Sequence, residues 1–275
     1  MDNLPKISII TPSFNQVKFL EQTIKSILNQ EYKNYEYIIM DGGSSDGSLE
    51  IIKKYADKLA YFESKPDKGQ ADAIYRGFQI ASGEILCWVN SDDLLLPGAL
   101  MKVAKWFKEN PDKNWVTGGT IIIDENGLIF RDKRGAPLFN MGAKVGKIEL
   151  LYFGHPFNQP ASFWRKDFFL KVNGFDRQLN FCFDYDLFLK FAMIERSGRI
   201  KDLLAKFRYH ADSKSSTLRE IRNKENQLLW KKYKRKKYLV PFLSNYFLIK
   251  YYLRKIKLMI LFKTGIVDLN KYIVE

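Results

Sequence analysis

The chain has 275 residues, 46% hydrophobic and 28% charged, which excludes a disordered or fibrous protein and allows one large domain with an appendage. Its formal net charge of +14 is concentrated near the C-terminus, because residues 219–263 carry 14 Lys or Arg against two Glu. The longest uncharged apolar stretch, residues 238–249, is shorter than the about 20 residues of a membrane span, so no span is predicted. Residues 1–6 are polar and lead straight into a strand-like run, so no secretory signal is predicted.

Short β-branched runs alternate with helical patterns in the first part of the chain. Strands are predicted at 7–11, 35–40, 59–63 and 84–89. The helices predicted between them lie at 19–30, 48–55 and 71–81. Strands that alternate with helices imply right-handed crossovers and a mainly parallel sheet.

The rest of the chain is less regular. Strands are predicted at 116–124 and 161–164, and a helix at 185–194. From residue 219 onward the pattern is helical, basic and aromatic. The sequence therefore predicts an α/β domain over 1–218, regular over 1–110 and less regular over 111–218, and a basic helical tail over 219–275.

Polar loops directly follow three of the predicted strands, at 11–15, 41–47 and 90–93. Ligands of parallel sheets bind at the carboxyl ends of the strands. Asp92 and Asp93 offer hard oxygen ligands of the kind that Mg²⁺ or Mn²⁺ prefers when it bridges a pyrophosphate. The alternative is that these aspartates cap the following helix.

Two further acidic motifs are candidates for chemistry. In the glycine-rich loop 41–47, Asp41 can accept hydrogen bonds from a nucleobase or ribose, although a plain turn is the alternative. The loop lacks the GxGxxG spacing of dinucleotide binding, which argues against NAD. Asp184 and Asp186 stand among aromatic residues before a predicted helix, where a carboxylate can act as a general base or simply cap the helix.

The motifs also occur in a characteristic order. They are IITPSFN at 9–15, SILNQ at 26–30, YEYIIMDGGS at 35–44, DKGQADA at 67–73, ASGE at 81–84, NSDD at 90–93, QP at 159–160, FWR at 163–165, GFD at 174–176 and DYDL at 184–187. Together they resemble family 2 glycosyltransferases, which adopt the GT-A fold. The resemblance covers about four-fifths of the chain, from Lys6 to about Ser216.

The resemblance implies that 1–218 is a catalytic domain, with a nucleotide-binding half over 1–110 and an acceptor-binding half over 111–218. It also implies a role for each matched position. Asp41 would hydrogen-bond the base, usually uracil, and Asp184 would deprotonate the acceptor hydroxyl. Asp92, with Asp93 adjacent, matches the ligand of a Mn²⁺ or Mg²⁺ cofactor, and His210 matches a further metal or phosphate contact. The residues expected to bind the donor are Thr11, Pro12, Ser13, Asn15, Asp41, Lys68, Asp72, Asn90, Ser91 and Asp92.

Three departures from the family pattern affect these roles. Asn90 replaces the first acidic residue of the DxD motif, which bears on ribose contacts and metal dependence. Phe183 replaces the acidic residue before the base, and Ala73-Ile74-Tyr75 replaces an Ala-Arg-Asn run, leaving Lys68 and Asp72 as alternative polar contacts. The QxxRW motif of processive synthases is absent from the sequence, which favours one sugar per encounter.

The implied reaction is inverting transfer from a nucleotide sugar, most simply a UDP-sugar, to an acceptor hydroxyl in cell-surface polysaccharide or glycolipid synthesis. A single base without a second nucleophilic carboxylate implies inversion. His155, Trp164 and Asp186 are the candidate acceptor contacts, with core packing as the alternative for Trp164. A catalytically inactive scaffold with the same fold is the competing interpretation.

The basic tail allows more than one partner. Cations that flank aromatic and apolar blocks suit the headgroup region of an anionic membrane, which predicts a peripheral enzyme on the cytoplasmic face beside a saccharide or lipid-linked acceptor. Packing on the domain, or a homo-oligomer formed through the tail, is the alternative. Because the charge is confined to the tail and nucleic-acid-binding motifs are absent from the sequence, a nucleic-acid partner is not expected.

Overall fold

A computed structural model of the chain describes residues 4–131, 137–140 and 159–233. Within these residues, nine strands form a single sheet. The strands are β1 Ile7–Ser13, β2 Tyr35–Asp41, β3 Tyr61–Ser64, β4 Ile85–Trp88, β5 Leu94–Leu95, β6 Trp115–Ile123, β7 Phe139–Asn140, β8 Ser162–Arg165 and β9 Gly198–Arg208.

Eight α-helices accompany the sheet in the described part of the chain. They are α1 Leu20–Leu28, α2 Ser48–Lys54, α3 Gln70–Ile80, α4 Ala99–Glu109, α5 Lys166–Lys171, α6 Phe183–Ile194, α7 Lys214–Thr217 and α8 Arg219–Tyr233. The alternation of strand and helix over the first half confirms the predicted α/β class.

The strand order is β3-β2-β1-β4-β8-β6-β9-β5, and β7 pairs with the side of β6. β1 to β4 pair with one another in parallel, and β6 and β9 run parallel to each other. β8 is antiparallel to both β4 and β6, while β5 and β7 are antiparallel edge pairings. The sheet is therefore mainly parallel, as predicted, with the reversed strand β8 joining its two halves.

Alternating side chains of the strands build a core on each face of the sheet. In β1, Ile7 and Ile9 pack with α1, α2 and α4, whereas Ile10 packs with α3 on the opposite face. The approach of α3 to β1 needs a glycine, because a Cβ on Gly77 would lie 2.8 Å from Ile10 Cγ1. This close contact lets α3 follow the parallel strands and begin beside their carboxyl ends.

The second core is rich in aromatic residues and includes Trp164. Its indole is fully buried, 5.4 Å from the Trp88 ring and 5.9 Å from the Phe78 ring. The predicted acceptor contact at Trp164 therefore has no exposed surface, and the alternative of core packing describes its position. Stacking on a sugar requires an open ring face, which this side chain lacks.

Helix α8 packs on the domain that precedes it. Leu229 is 2% exposed and lies in the aromatic core with α6, and Tyr233 packs against the same core. The predicted tail therefore begins with a helix that shares the core of the predicted catalytic domain, while residues 234–275 lie outside the described part. Among the described residues, no helix has both the length and the apolar character needed to cross a membrane.

Candidate functional site

The loops that follow β1 and β2 are bound to each other by hydrogen bonds. The N–H of Asn15 donates to Ser44 Oγ at 2.8 Å, and the N–H of Ser45 donates to Asn15 Oδ1 at 2.9 Å. The N–H of Val17 donates to Asp46 Oδ2 at 2.9 Å. Asn15 has a φ of 52°, a left-handed conformation that asparagine tolerates better than most residues. The two loops therefore form one unit at the carboxyl end of the sheet.

Asp41 lies beneath this unit and is fully buried. Its Oδ2 accepts hydrogen bonds from the N–H groups of Gly43 at 3.1 Å and Ser44 at 2.9 Å, and from Ser64 Oγ at 2.6 Å. Its Oδ1 accepts one from Ser44 Oγ at 2.6 Å. A carboxylate has about four acceptor sites, so these partners use its capacity. A nucleobase contact would require Asp41 to exchange one of them.

The end of β1 forms the wall beside this loop. Thr11 and Pro12 are buried, and Thr11 Oγ1 accepts a hydrogen bond from the Tyr37 hydroxyl at 3.0 Å. Ser13 is 4% exposed, and its Oγ has no hydrogen-bond partner among the described residues. Burying a hydroxyl without a hydrogen-bond partner costs free energy. Among the side chains at the end of β1, Ser13 is therefore the one that would gain most from a hydrogen bond to a ligand.

Charged side chains line the start of α3. Asp72 lies 3.3 Å from Arg76 Nε and 3.9 Å from Arg177 Nη1, and the Arg177 guanidinium sits 4.3 Å from the centre of the Tyr75 ring. Lys68 is exposed. The two polar contacts predicted to replace the family's Ala-Arg-Asn run thus differ: Asp72 is engaged by two arginines, while Lys68 extends into solvent.

The turn after β4 is fixed from both sides. Asn90 Oδ1 accepts a hydrogen bond from Gln70 Nε2 at 2.8 Å, and Asn90 Nδ2 donates to Asp93 Oδ2 at 3.1 Å. Ser91 is buried, and its carbonyl accepts a hydrogen bond from Thr23 Oγ1 at 2.9 Å. Helices α3 and α1 therefore hold the turn that presents the next residue, Asp92.

Asp92 and His210 face each other although 118 residues separate them. Asp92 Oδ2 lies 3.2 Å from His210 Nε2, with side-chain exposures of 20% and 3%. The imidazole ring rests against Phe19 at a centroid distance of 4.7 Å. The structure thus brings together two of the three side chains predicted as metal ligands.

Asp93, the third predicted ligand, is directed elsewhere. It is 1% exposed, and its Oδ1 accepts a hydrogen bond from the N–H of Arg208 at 2.9 Å. Burial and the adjacent charge of Asp92 raise the pKa of Asp93 well above its usual range, although Arg208 and Asn90 act in the opposite direction. Asp93 therefore anchors the turn to β9 instead of facing His210.

Arg208 is a residue of this site that the sequence analysis missed. Its Nε donates to the carbonyl of Asp92 at 2.9 Å, and its Nη2 donates to Gln22 Oε1 at 2.7 Å. The guanidinium also lies 4.8 Å from the centre of the Phe19 ring, against which His210 packs. The only sequence signal is a cation two residues before His210 at the end of a strand. Arg208 supports both members of the Asp92–His210 pair.

The pair alone does not complete a metal site. Among residues 4–131, 137–140 and 159–233, no group of three or more His, Cys, Asp or Glu side chains is arranged to hold a metal ion. A cation in a protein takes at least four ligands, and six in the case of Mg²⁺. A cation bound by Asp92 and His210 would therefore take its other ligands from a bound donor and water.

Asp184 lies in the first turn of α6 and is partly buried, with Oδ1 accepting a hydrogen bond from the N–H of Tyr185 at 2.6 Å. The preceding Phe183 ring is 5.9 Å from Trp88, which ends β4. Asp184 also acts electrostatically on Lys214: desolvation lowers the pKa of Lys214, and the charges of Glu225, Asp184 and Asp67 oppose that shift. The residue before the base candidate thus contacts the end of β4, and the base candidate itself lies near the segment after His210.

Asp186, predicted to contact the acceptor, is fully buried. Burial would raise the pKa of Asp186, but a hydrogen bond from Tyr233 and the charges of Lys190 and Lys232 outweigh it and lower that pKa. Its carboxylate is therefore a structural anion without a surface for an acceptor. His155, the remaining predicted acceptor contact, lies outside the described residues.

Comparison with known proteins identifies the family of the chain. A family model described as Glycosyl transferase family 2 matches residues 8–173. An uncharacterized glycosyltransferase of Rickettsia bellii is 29% identical over 239 residues, which are 84% of this chain and 34% of the relative. EpsE of Bacillus subtilis, which carries the name of a glycosyltransferase, is 29% identical over 70% of this chain and 68% of its own length. The chain therefore spans about a third of the first relative and about two-thirds of the second.

Solved structures show the same fold. S. aureus TarS 1-349 in complex with UDP-GlcNAc has a TM-score of 0.61 at 19% identity, covering 77% of this chain and 61% of TarS 1-349. The mannosyltransferase PcManGT of Pyrobaculum calidifontis, in complex with GDP-Man and Mn²⁺, has a TM-score of 0.60 at 17% identity, covering 87% of this chain and 67% of PcManGT. At these identities the likeness establishes the GT-A fold that the sequence predicted.

Proposed function

The chain belongs to glycosyl transferase family 2, and from that premise we propose that it moves a sugar from a nucleotide-sugar donor to an acceptor hydroxyl with inversion at the anomeric carbon. The observation that carries the proposal is the Asp92–His210 pair, which lies at the carboxyl edge of the sheet beside the loops that we propose bind the donor. A carboxylate and an imidazole that face each other at this edge of the sheet are expected in a metal-dependent enzyme and not in an inactive scaffold.

The donor we propose is a UDP-sugar. TarS and PcManGT, whose folds resemble this one, carry UDP-GlcNAc and GDP-Man, which supports a nucleotide sugar in general. The narrower assignment to uracil rests on the sequence resemblance at Asp41. The acceptor hydroxyl would belong to a saccharide or a lipid-linked saccharide in cell-surface polysaccharide or glycolipid synthesis.

Asp92 and His210 are the side chains that would hold Mn²⁺ or Mg²⁺. They offer a carboxylate oxygen and an imidazole nitrogen, a mixed set that suits Mn²⁺ better than Mg²⁺. When bound, the cation would stabilise negative charge on the departing diphosphate. Arg208 would hold both side chains in place, through its hydrogen bond to the Asp92 carbonyl and its contact with the Phe19 ring.

Asp184 is the general base of the proposed reaction. The acceptor oxygen forms a bond to the anomeric carbon while its proton passes to the Asp184 carboxylate, and the bond between that carbon and the diphosphate oxygen breaks. One displacement inverts the configuration. The other carboxylate of the motif, Asp186, has no exposed surface, which supports a single base without a second nucleophile.

The proposal is tested by donor turnover. Purified full-length protein is incubated with UDP-N-acetylglucosamine, UDP-glucose or GDP-mannose, with and without Mn²⁺, and the released nucleoside diphosphate is measured. We expect Mn²⁺-dependent release of UDP from one of the UDP-sugars, with water as the slow acceptor. Release of nucleotide from none of the three donors would favour the inactive scaffold.

Replacing the base tests the mechanism separately. Asp184→Asn should lower turnover at least about a hundredfold, the low end for loss of a general base, while calorimetric affinity for UDP stays the same. The matched control is Asp167→Asn, which changes an exposed aspartate in the first turn of α5 and should leave turnover unchanged. Near-normal turnover of Asp184→Asn would place the base elsewhere.

A further inference from the structure

Helix α8 holds the turn that leads into the proposed base. Glu225, in the middle of α8, is 7% exposed. Its Oε1 accepts a hydrogen bond from the N–H of Asn180 at 2.7 Å, and its Oε2 accepts hydrogen bonds from the N–H groups of Phe181 at 2.9 Å and Cys182 at 2.8 Å. Cys182 directly precedes α6, so Glu225 binds the backbone two residues before Asp184.

A second contact lies two residues after Asp184. Asp186 Oδ1 accepts hydrogen bonds from the Tyr233 hydroxyl at 2.6 Å and from Lys232 Nζ at 3.1 Å, both at the end of α8. Its Oδ2 accepts one from the N–H of Asp176 at 2.9 Å and lies 3.0 Å from Lys190 Nζ. The same helix therefore binds the chain on both sides of the base.

The spacing of these contacts along α8 places them on one face. Glu225, Leu229 and Tyr233 follow one another at intervals of four residues, which align on a helix. Leu229, between the two polar contacts, is 2% exposed in the aromatic core. Burial of this apolar residue keeps the helix seated while the polar groups at either end bind their partners.

We infer that α8 positions the catalytic base, with Glu225 as its principal positioning residue. The inference rests on the proposed role of Asp184. A base must stand within hydrogen-bond reach of the acceptor hydroxyl, and small displacements lower the rate steeply. Three backbone donors gathered by one buried carboxylate fix the turn before the base, and the Asp186–Tyr233 contact fixes the turn after it. Glu225 acts through Asp184 and touches no substrate.

A double-mutant cycle on the full-length protein tests this coupling. Glu225→Gln, Asp184→Asn and the double variant are compared with the unmodified chain in the nucleotide-release assay. Gln keeps one of the two acceptor oxygens, so Glu225→Gln should lower kcat about ten- to a hundredfold. Donor KM and UDP affinity should not change. In the Asp184→Asn background the Glu225→Gln change should have no further effect, because both changes act through one group.

The outcomes separate positioning from a general loss of structure. If the two kcat losses multiply, Glu225 does not act through Asp184 and the inference is overturned; an unchanged kcat in Glu225→Gln overturns it as well. The control is Glu220→Gln, which changes an exposed glutamate on the same helix and should leave kcat unchanged. Should Glu225→Gln fail to fold, Glu225→Asp carries the same cycle. Normal turnover of Asp184→Asn alone would instead sink the proposed base itself.

Discussion

The Asp41 carboxylate accepts four hydrogen bonds from its own loop and from the end of β3. Asp41→Asn replaces one acceptor oxygen with an amide nitrogen, which donates and cannot accept, so loop 41–47 should loosen. We expect calorimetric affinity for UDP to fall about tenfold, the equivalent of one hydrogen bond to a charged group, because the loop and the proposed uracil contact both depend on this carboxylate. An equal loss of affinity for GDP would show that Asp41 acts only through the loop and would remove the reason for assigning uracil. Asp57→Asn, an exposed aspartate, is the control.

Asp92 differs from Asp41 because its side chain is partly exposed and its carboxylate faces His210. Asp92→Ala should abolish Mn²⁺-dependent UDP binding in calorimetry while the melting temperature changes little, since Asp93 and Arg208 still anchor the turn. Asp57→Ala should leave the affinity unchanged. UDP affinity that still rises with Mn²⁺ in Asp92→Ala would remove Asp92 from the metal site.

Single residues were predictable where a motif carries them. The order of motifs led to Asp92 and His210, which the fold then brings within 3.2 Å. Arg208 and Glu225 gave no comparable signal, because their partners Asp92 and Asn180 to Cys182 lie far away in the sequence. The role of a buried charged residue depends on its neighbours in space, and the spacing of residues along the chain does not reveal those neighbours.

At the scale of elements, periodicity was sufficient wherever one face of a strand or helix is uniformly apolar. The predicted strands and helices of the first half match β1 to β4 and α1 to α3 within a few residues. The sequence pattern did not predict β9, an interior strand of the sheet that pairs with β6 and β5. Charged residues interrupt its alternation at Lys201, Asp202 and Lys206, and its register with β6 shifts near Gly119. A strand with an irregular register does not keep a strict period of two.

The close packing of α3 against β1 can be tested by a substitution at Gly77. Gly77→Ala would place a methyl group 2.8 Å from Ile10 Cγ1, so helix or strand must shift. Overpacking of this kind costs about 1–3 kcal/mol, while alanine returns about 1 kcal/mol of helix propensity. We expect the free energy of unfolding in urea to fall by up to about 2 kcal/mol, the difference between these two contributions. Gln79→Ala, exposed on the same helix, should not lower it, and a stable Gly77→Ala would mean that α3 has room to move.

At the scale of the whole molecule, charge and packing divide the chain at different places. The change in composition at residue 219 predicted the start of a separate tail, yet α8 shares the aromatic core with α6. The composition of a segment indicates how charged it is, but not which of its side chains are buried in a neighbouring core. Here the burial of Glu225 and Leu229 joins α8 to the domain. We therefore expect the membrane-binding segment to lie after Tyr233.

That placement sharpens the membrane hypothesis. A chain cut at residue 217 would lose α8 and its contacts to the base turn, so weaker liposome binding of such a fragment would not identify the tail as its cause. Changing the four cations at 234–237 to Gln leaves α8 intact and removes four positive charges. The matched control changes four exposed lysines outside the tail: Lys53, Lys54, Lys105 and Lys171.

We expect the tail variant to lose most of its co-sedimentation with vesicles containing phosphatidylserine, because each cation near an anionic surface contributes about 1 kcal/mol. The lysine control has the same net charge, so it should sediment nearly as well as the unmodified protein if the attraction is local to the tail. Binding should also weaken between low and physiological ionic strength, since surface charges are screened over about 8–10 Å there. Equal sedimentation of both variants, or binding that ignores salt, would make the tail a packing or oligomerisation segment and remove the reason to expect a lipid-linked acceptor.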